Sequence, residues 1–126
     1  MLVCAESIES SERLAPTALG WAAELGLEMA VAAVMHPWDV ESADPPERLL
    51  GPLIAPFGHP DRVSTTVLTN TYVAGALADY ADDLPAAMIE MNCHGRTGLA
   101  RIVLGSVTMA VLHLATCPLL VTHDTR

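Results

Sequence analysis

Short runs of almost wholly apolar residues alternate along this chain with stretches whose apolar residues fall at helical spacing, and that alternation restricts the fold most tightly. Apolar runs of about four to eight residues are the pattern of strands buried on both faces of a parallel sheet. Met1–Ala5 and Met29–Met35 are such runs. Val63–Leu68 alternates and is rich in β-branched residues, which suits a strand nearer a sheet edge. Ala86–Met91 and Pro118–Thr122 complete five strands. Between the first two, Leu14, Ala18, Trp21 and Leu25 recur as one helical stripe, and Gly26 is placed to end that helix. Pro16 must then sit in the first turn or kink the helix. Val73, Leu77, Tyr80 and Leu84 form a second stripe behind a cap at Asn70 or Thr71, and Val107, Ala110, Val111 and Leu114 form a third. Each stripe reads as the face of an amphipathic helix that packs on a sheet.

Strands alternating with helices define an α/β fold, a parallel sheet whose right-handed crossovers place helices on both faces. One stretch interrupts the rhythm. Pro37–Arg62 carries six prolines and leaves room for a one-turn helix at most, Pro45–Leu50 capped by Asp44, so the second helix is expected to be reduced. With 126 residues, no internal repeat and no linker, residues 1–126 read as a single domain.

Composition excludes several chemistries. Fifteen acidic residues stand against six basic ones, a net charge of −9, and all six basic residues are arginine. Without lysine there is no phosphate loop ending in Gly-Lys-Ser/Thr, no Schiff-base chemistry and no kinase-type phosphate lysine. The acidic balance also argues against nucleic acid and anionic membrane as partners. The start MLVCAESIESSE lacks the basic and apolar regions of a secretory leader, and no run approaches the roughly 20 apolar residues of a membrane helix. A cytoplasmic protein is the expectation. Cys4, Cys93 and Cys117 read as reduced thiols.

The charge is unevenly placed. Residues 1–90 hold fourteen acids and three arginines, whereas residues 91–126 hold Asp124 alone among acids, three arginines and three of the five histidines. An anion is therefore expected in the last third. There, after the fourth strand, residues 91–108 read MNCHGRTGLARIVLGSVT. Gly95 and Gly98 turn the chain, and Gly105-Ser106 opens the last helix. Such a loop exposes successive backbone N–H groups, and a helix N-terminus adds about half a positive charge, so the two together cradle phosphate. Ser106 is expected to cap the helix and to offer its hydroxyl to a phosphate oxygen.

From Met1 to Thr122 the chain resembles universal stress protein domains, most closely in Cys93–Thr122, where HGRTGLAR, LGSVT and CPLLVT are very like the family's loop and last strand. The family's motif, G-x-x-G, nine residues, then G-S/T, falls on Asn92, Gly95, Gly105 and Ser106 with its spacing intact. The resemblance implies five parallel strands in the order 3-2-1-4-5, a Rossmann-like sheet with ATP or AMP bound at its switch point. It implies that Ala5, Glu6 and Val34 line an adenine pocket. Met91, Asn92, Gly95, Gly105, Ser106, Val107 and Thr108 would hold ribose and phosphates, with Arg96 or Arg101 nearby. Binding members of the family usually carry aspartate in place of Glu6, and glycine in place of Asn92 and Asn70. Asparagine tolerates positive φ better than most residues, which suits a turn at 92.

The resemblance further implies a homodimer formed through the Pro118–Thr122 strand, whose free edge offers unpaired backbone groups. The expected function is a stress-response regulator, a nucleotide-responsive dimer; any ATP hydrolysis would be slow, for lack of a base and a lysine. The alternative is a nucleotide-free dimeric interaction module of the same fold. Other chemistries are poorly supported. Cys4, His36, Cys93 and His94 fall near strand ends, but successive strand residues point to opposite faces and do not converge on a metal. Ser106, His94 and Asp79, Asp82 or Asp83 lack the nucleophile elbow of a hydrolase.

Overall fold

The computed structural model describes residues 1–35, 46–58, 60–93 and 105–123. Five strands, β1 (Leu2–Ala5), β2 (Met29–Met35), β3 (Val63–Thr69), β4 (Ile89–Cys93) and β5 (Leu119–His123), form one sheet in the order β3-β2-β1-β4-β5. Every pairing is parallel. Four helices connect them: α1 (Ile8–Leu25), α2 (Pro46–Ile54), α3 (Val73–Asp83) and α4 (Ser106–Leu114). The expected architecture and strand order are those observed, with Val63–Thr69 at an edge.

Strand alternation divides the core into two. Met1, Val3, Ala5, Val31 and Ala33 face α1 and α2, where Leu14, Ala15, Ala18, Leu53 and Phe57 meet them. Leu2, Cys4, Ala30, Ala32, Ile89 and Met91 face α3 and α4, where Ala74, Leu77, Ala81 and Val111 close the other layer. Burying a large side chain in such a layer stabilises the fold by roughly 1.5–3 kcal/mol.

Local chemistry fixes the ends of α1. The Ser7 side chain caps it by accepting from the Ser10 amide at 3.1 Å. Gly26 ends it at φ 63°, a left-handed conformation that glycine adopts without penalty. Glu9 and Arg13 form an i,i+4 pair at 2.6 Å on the surface. Pro16 lies well inside the helix, not in its first turn, on an exposed side. Its missing N–H costs one helical bond there.

Several expectations are corrected. The second helix is longer than one turn: α2 spans nine residues and runs on into a 3₁₀ turn, Ala55–Phe57. Leu50, Leu53, Ile54 and Phe57 recur at helical spacing and pack on the sheet layer, which offsets the penalty of Pro52. On α1, Trp21 and Leu25 are exposed, and the buried stripe is instead Ser11, Leu14, Ala15, Ala18 and Ala22. Small residues face the sheet because they let the helix approach it closely. Leu84 and Leu114 are likewise exposed at the ends of α3 and α4. The fourth strand begins at Ile89, three residues later than its apolar run. Asn70 does not cap α3 directly: its Oδ1 accepts from the Tyr72 amide at 2.9 Å, an Asx turn just before the helix.

Candidate functional site

The strand order reverses direction between β1 and β4, and open α/β sheets place ligands beyond the carboxyl ends of the strands at such a point. A cleft of about 200 Å³ lies there, lined by Cys4, Ala5, Glu6, Ala32, Val73, Leu77, Met91 and Val107. Its floor is apolar. Val107 belongs to the first turn of α4, so the N-terminus of that helix borders the cleft.

Four of the residues expected at the site, Ala5, Glu6, Met91 and Val107, meet in this cleft. Gly105 and Ser106 are exposed at the start of α4. Ser106 is not the cap: Gly105 occupies the N-cap position and Ser106 is the first helical residue. The unbonded N–H groups of that first turn thus remain available to an anion. Thr108 is buried within α4 and lies outside the cleft lining. Val34 is in β2, in register with Leu68 of β3. Gly95, with His36, His94, Arg96 and Arg101, lies outside the described residues.

Asn92 behaves differently from a loop glycine. It belongs to β4, pairs in register with Thr122 and is buried, and among the described residues only glycines have positive φ. The expected turn at 92 is therefore absent, because the strand continues through it to Cys93. Met91 lies on the α3–α4 face with the cleft, so alternation sends the Asn92 side chain to the α1 face. It does not enter the cleft. Its Oδ1 accepts from the Thr122 hydroxyl at 3.5 Å, and that hydroxyl also reaches the Met91 carbonyl at 3.3 Å.

The Cys4 thiol in the cleft floor is held far above its ordinary range by burial first, then by the charges of Glu6 and Glu90. It presents a neutral, weakly polar surface to whatever enters. Cys4, Ala32, Val73 and Leu77 are lining residues that sequence reasoning did not assign to the site. Val73 and Leu77 were visible only as part of a core-facing stripe, and the same stripe supplies the cleft wall. Among the described residues, no group of three or more His, Cys, Asp and Glu side chains converges as a metal site. No described helix is long and apolar enough to cross a membrane.

Sheet order and cleft position define a doubly wound α/β fold with a small cleft at its switch point. The chain belongs to the universal stress protein family, whose sequence model matches residues 1–123. Among solved structures it is similar to a universal stress protein from Archaeoglobus fulgidus at 18% identity and TM-score 0.77, covering 95% of each chain. A universal stress protein from Archaeoglobus fulgidus in complex with dAMP matches at 18% identity and TM-score 0.73, over 95% of this chain and 94% of that one. A universal stress protein in complex with cAMP matches at 18% identity and TM-score 0.61, over 99% and 98%. No curated protein matches the chain.

Proposed function

We propose that this protein is a stress-response regulator that binds ATP or AMP in the cleft between the carboxyl ends of β1 and β4. The observation that carries the reading is the cleft itself, an apolar slot at the switch point, bordered by the N-terminal turn of α4. At about 200 Å³ it is smaller than the roughly 300–1,000 Å³ of sites that enclose a whole ligand. It suits one base, with Ala5 and Glu6 beside it, while ribose and phosphates would lie outward near Gly105 and Ser106. Backbone N–H groups and the Ser106 hydroxyl would hold phosphate, since the chain has no lysine. Relatives in complex with dAMP and cAMP support an adenine nucleotide as the ligand class.

The regulator would act as a homodimer in the cytoplasm, through the outer edge of β5, which among the described residues pairs with β4 alone. Nucleotide occupancy would shift its shape or its affinity for a partner.

Thermal unfolding with ATP or AMP tests the reading. A ligand at a hundredfold excess over Kd stabilises the folded state by about 2.7 kcal/mol, a readily measured rise in melting temperature. Val107→Trp, which fills the cleft, should abolish the rise without unfolding the protein. No rise at millimolar nucleotide, and none released on denaturation, would leave the nucleotide-free dimeric module as the reading. Light scattering should give twice the chain mass.

A further inference from the structure

Glu90 is a carboxyl group in a place made for valine. It is the second residue of β4, wholly buried, with Val3 and Leu120 as register partners on either side. Its side chain therefore leaves the sheet on the face that α1 covers. Neither carboxylate oxygen has a hydrogen-bond partner. Asn92, two residues on and on the same face, has an unpartnered Nδ2, and the buried hydroxyls of Ser10 and Ser11 in the first turns of α1 are also unpartnered.

On the face that Glu90 serves, α1 packs over β4, with β1 and β5 as its strand neighbours, while α3 and α4 cover the opposite face. On α1, Glu9, Glu12 and Glu24 are exposed, and Arg13 is engaged with Glu9 at the surface. On β1, Cys4 points to the opposite face, and Glu6 is exposed beyond the strand end. On β5, Leu119–Thr122 carry no ionisable side chain. No described cation compensates Glu90. An ionised carboxylate in such a place costs several kcal/mol, whereas the neutral acid costs far less.

We propose that Glu90 is a proton-operated latch beneath α1: the neutral acid lets the helix close on β4, and loss of the proton draws water into the seam and loosens the helix. Burial pushes the Glu90 carboxyl up to about 7, so the latch works near neutral pH. Asn92 and the two serine hydroxyls are the groups with which entering water would bond, since buried water settles where polar atoms lack partners. Ser7 ties α1 to Ala5 and Glu6, so loosening would reach the cleft wall. The latch does not depend on the nucleotide reading.

Hydrogen exchange read by mass spectrometry on the full chain tests this, at about pH 5.5 and about pH 8.5, with α3 as the internal reference for the intrinsic pH effect. Peptides of α1 should lose more than tenfold of their protection relative to α3 as pH rises, and Glu90→Gln should remove that difference. If α1 and α3 change together, or if Glu90→Gln follows the wild type, the latch is overturned. Should Glu90→Gln fail to fold, NMR of the labelled wild-type carboxyl decides. A midpoint near neutral supports the latch, and one near the ordinary value of 4.5 overturns it.

Discussion

Asn92 and Thr122 sit side by side on neighbouring parallel strands, and the Thr122 hydroxyl reaches both the Asn92 side-chain oxygen and the Met91 carbonyl. That pairing holds Asn92 on the α1 face, away from the cleft. It also leaves Asn92 Nδ2 buried without an acceptor. Asn92→Ala should therefore change stability by only about 1 kcal/mol, since it removes an unpaired donor along with one long hydrogen bond. Asn92→Asp should cost about 3 kcal/mol or more at neutral pH, because it adds a second buried carboxyl on the Glu90 face. Urea unfolding near pH 5 and near pH 8 checks both: the penalty of Asn92→Asp should shrink at the lower pH.

Glu90 also sets the sign of the pH dependence. Its carboxyl stays protonated in the folded state up to about 7, against an ordinary value of 4.5. Between those values the folded state binds more protons than the unfolded one, so stability must fall as pH rises. The contribution is complete below the ordinary value and lost as pH passes through the folded one, a change of about 3 kcal/mol. Urea midpoints across this window should fall and then level off. A midpoint for the Glu90 contribution that rises with pH would contradict the assignment.

The two faces of α1 should respond very differently to truncation. Leu14 is fully buried against the sheet, whereas Trp21 is 44% exposed. Leu14→Ala should cost about 2–5 kcal/mol, and Trp21→Ala less than about 1 kcal/mol. Paired denaturant melts decide it, and equal losses would mean that the sequence stripe through Trp21 is the true core.

Gly75 and Tyr72 form a small coupled pair. A methyl group placed on Gly75 would meet the Tyr72 ring at 2.5 Å, but that ring is 57% exposed and free to turn outward. Alanine in a helix interior is favoured over glycine by about 1 kcal/mol. Gly75→Ala should thus be near neutral alone and stabilising by about 1 kcal/mol in a Tyr72→Ala background. A double-mutant cycle by thermal melting reads the difference.

Much of the fold was legible in the residues themselves. Apolar runs at Met1–Ala5 and Met29–Met35 can be satisfied only in a sheet covered on both faces, and Gly26 marks the end of α1 through chemistry local to its position; the Ser7 cap at the other end came from the structure. The glycine loop was read from its own residues, whereas the strand order came from family resemblance. At the cleft, Ala5, Glu6, Met91 and Val107 were legible by that route, whereas Ala32, Val73 and Leu77 were not. Their side chains become neighbours only when three separate strand–helix units close on one sheet. Proline count misled at α2, because it registers missing N–H groups and not the burial that Leu53 and Phe57 gain.

The sequence by itself therefore determined the alternation of strands and helices, the end of α1 at Gly26, and the lack of any lysine to hold phosphate. Only the tertiary structure decided which face each side chain serves. Asn92 and Met91 are adjacent in the chain, yet the pleat sends one beneath α1 and the other into the cleft. The same pleat strands Glu90 beneath α1 with no countercharge among the described residues. Helical and strand periods are local properties of the backbone, but the environment of a buried carboxyl is set by the elements that pack over it.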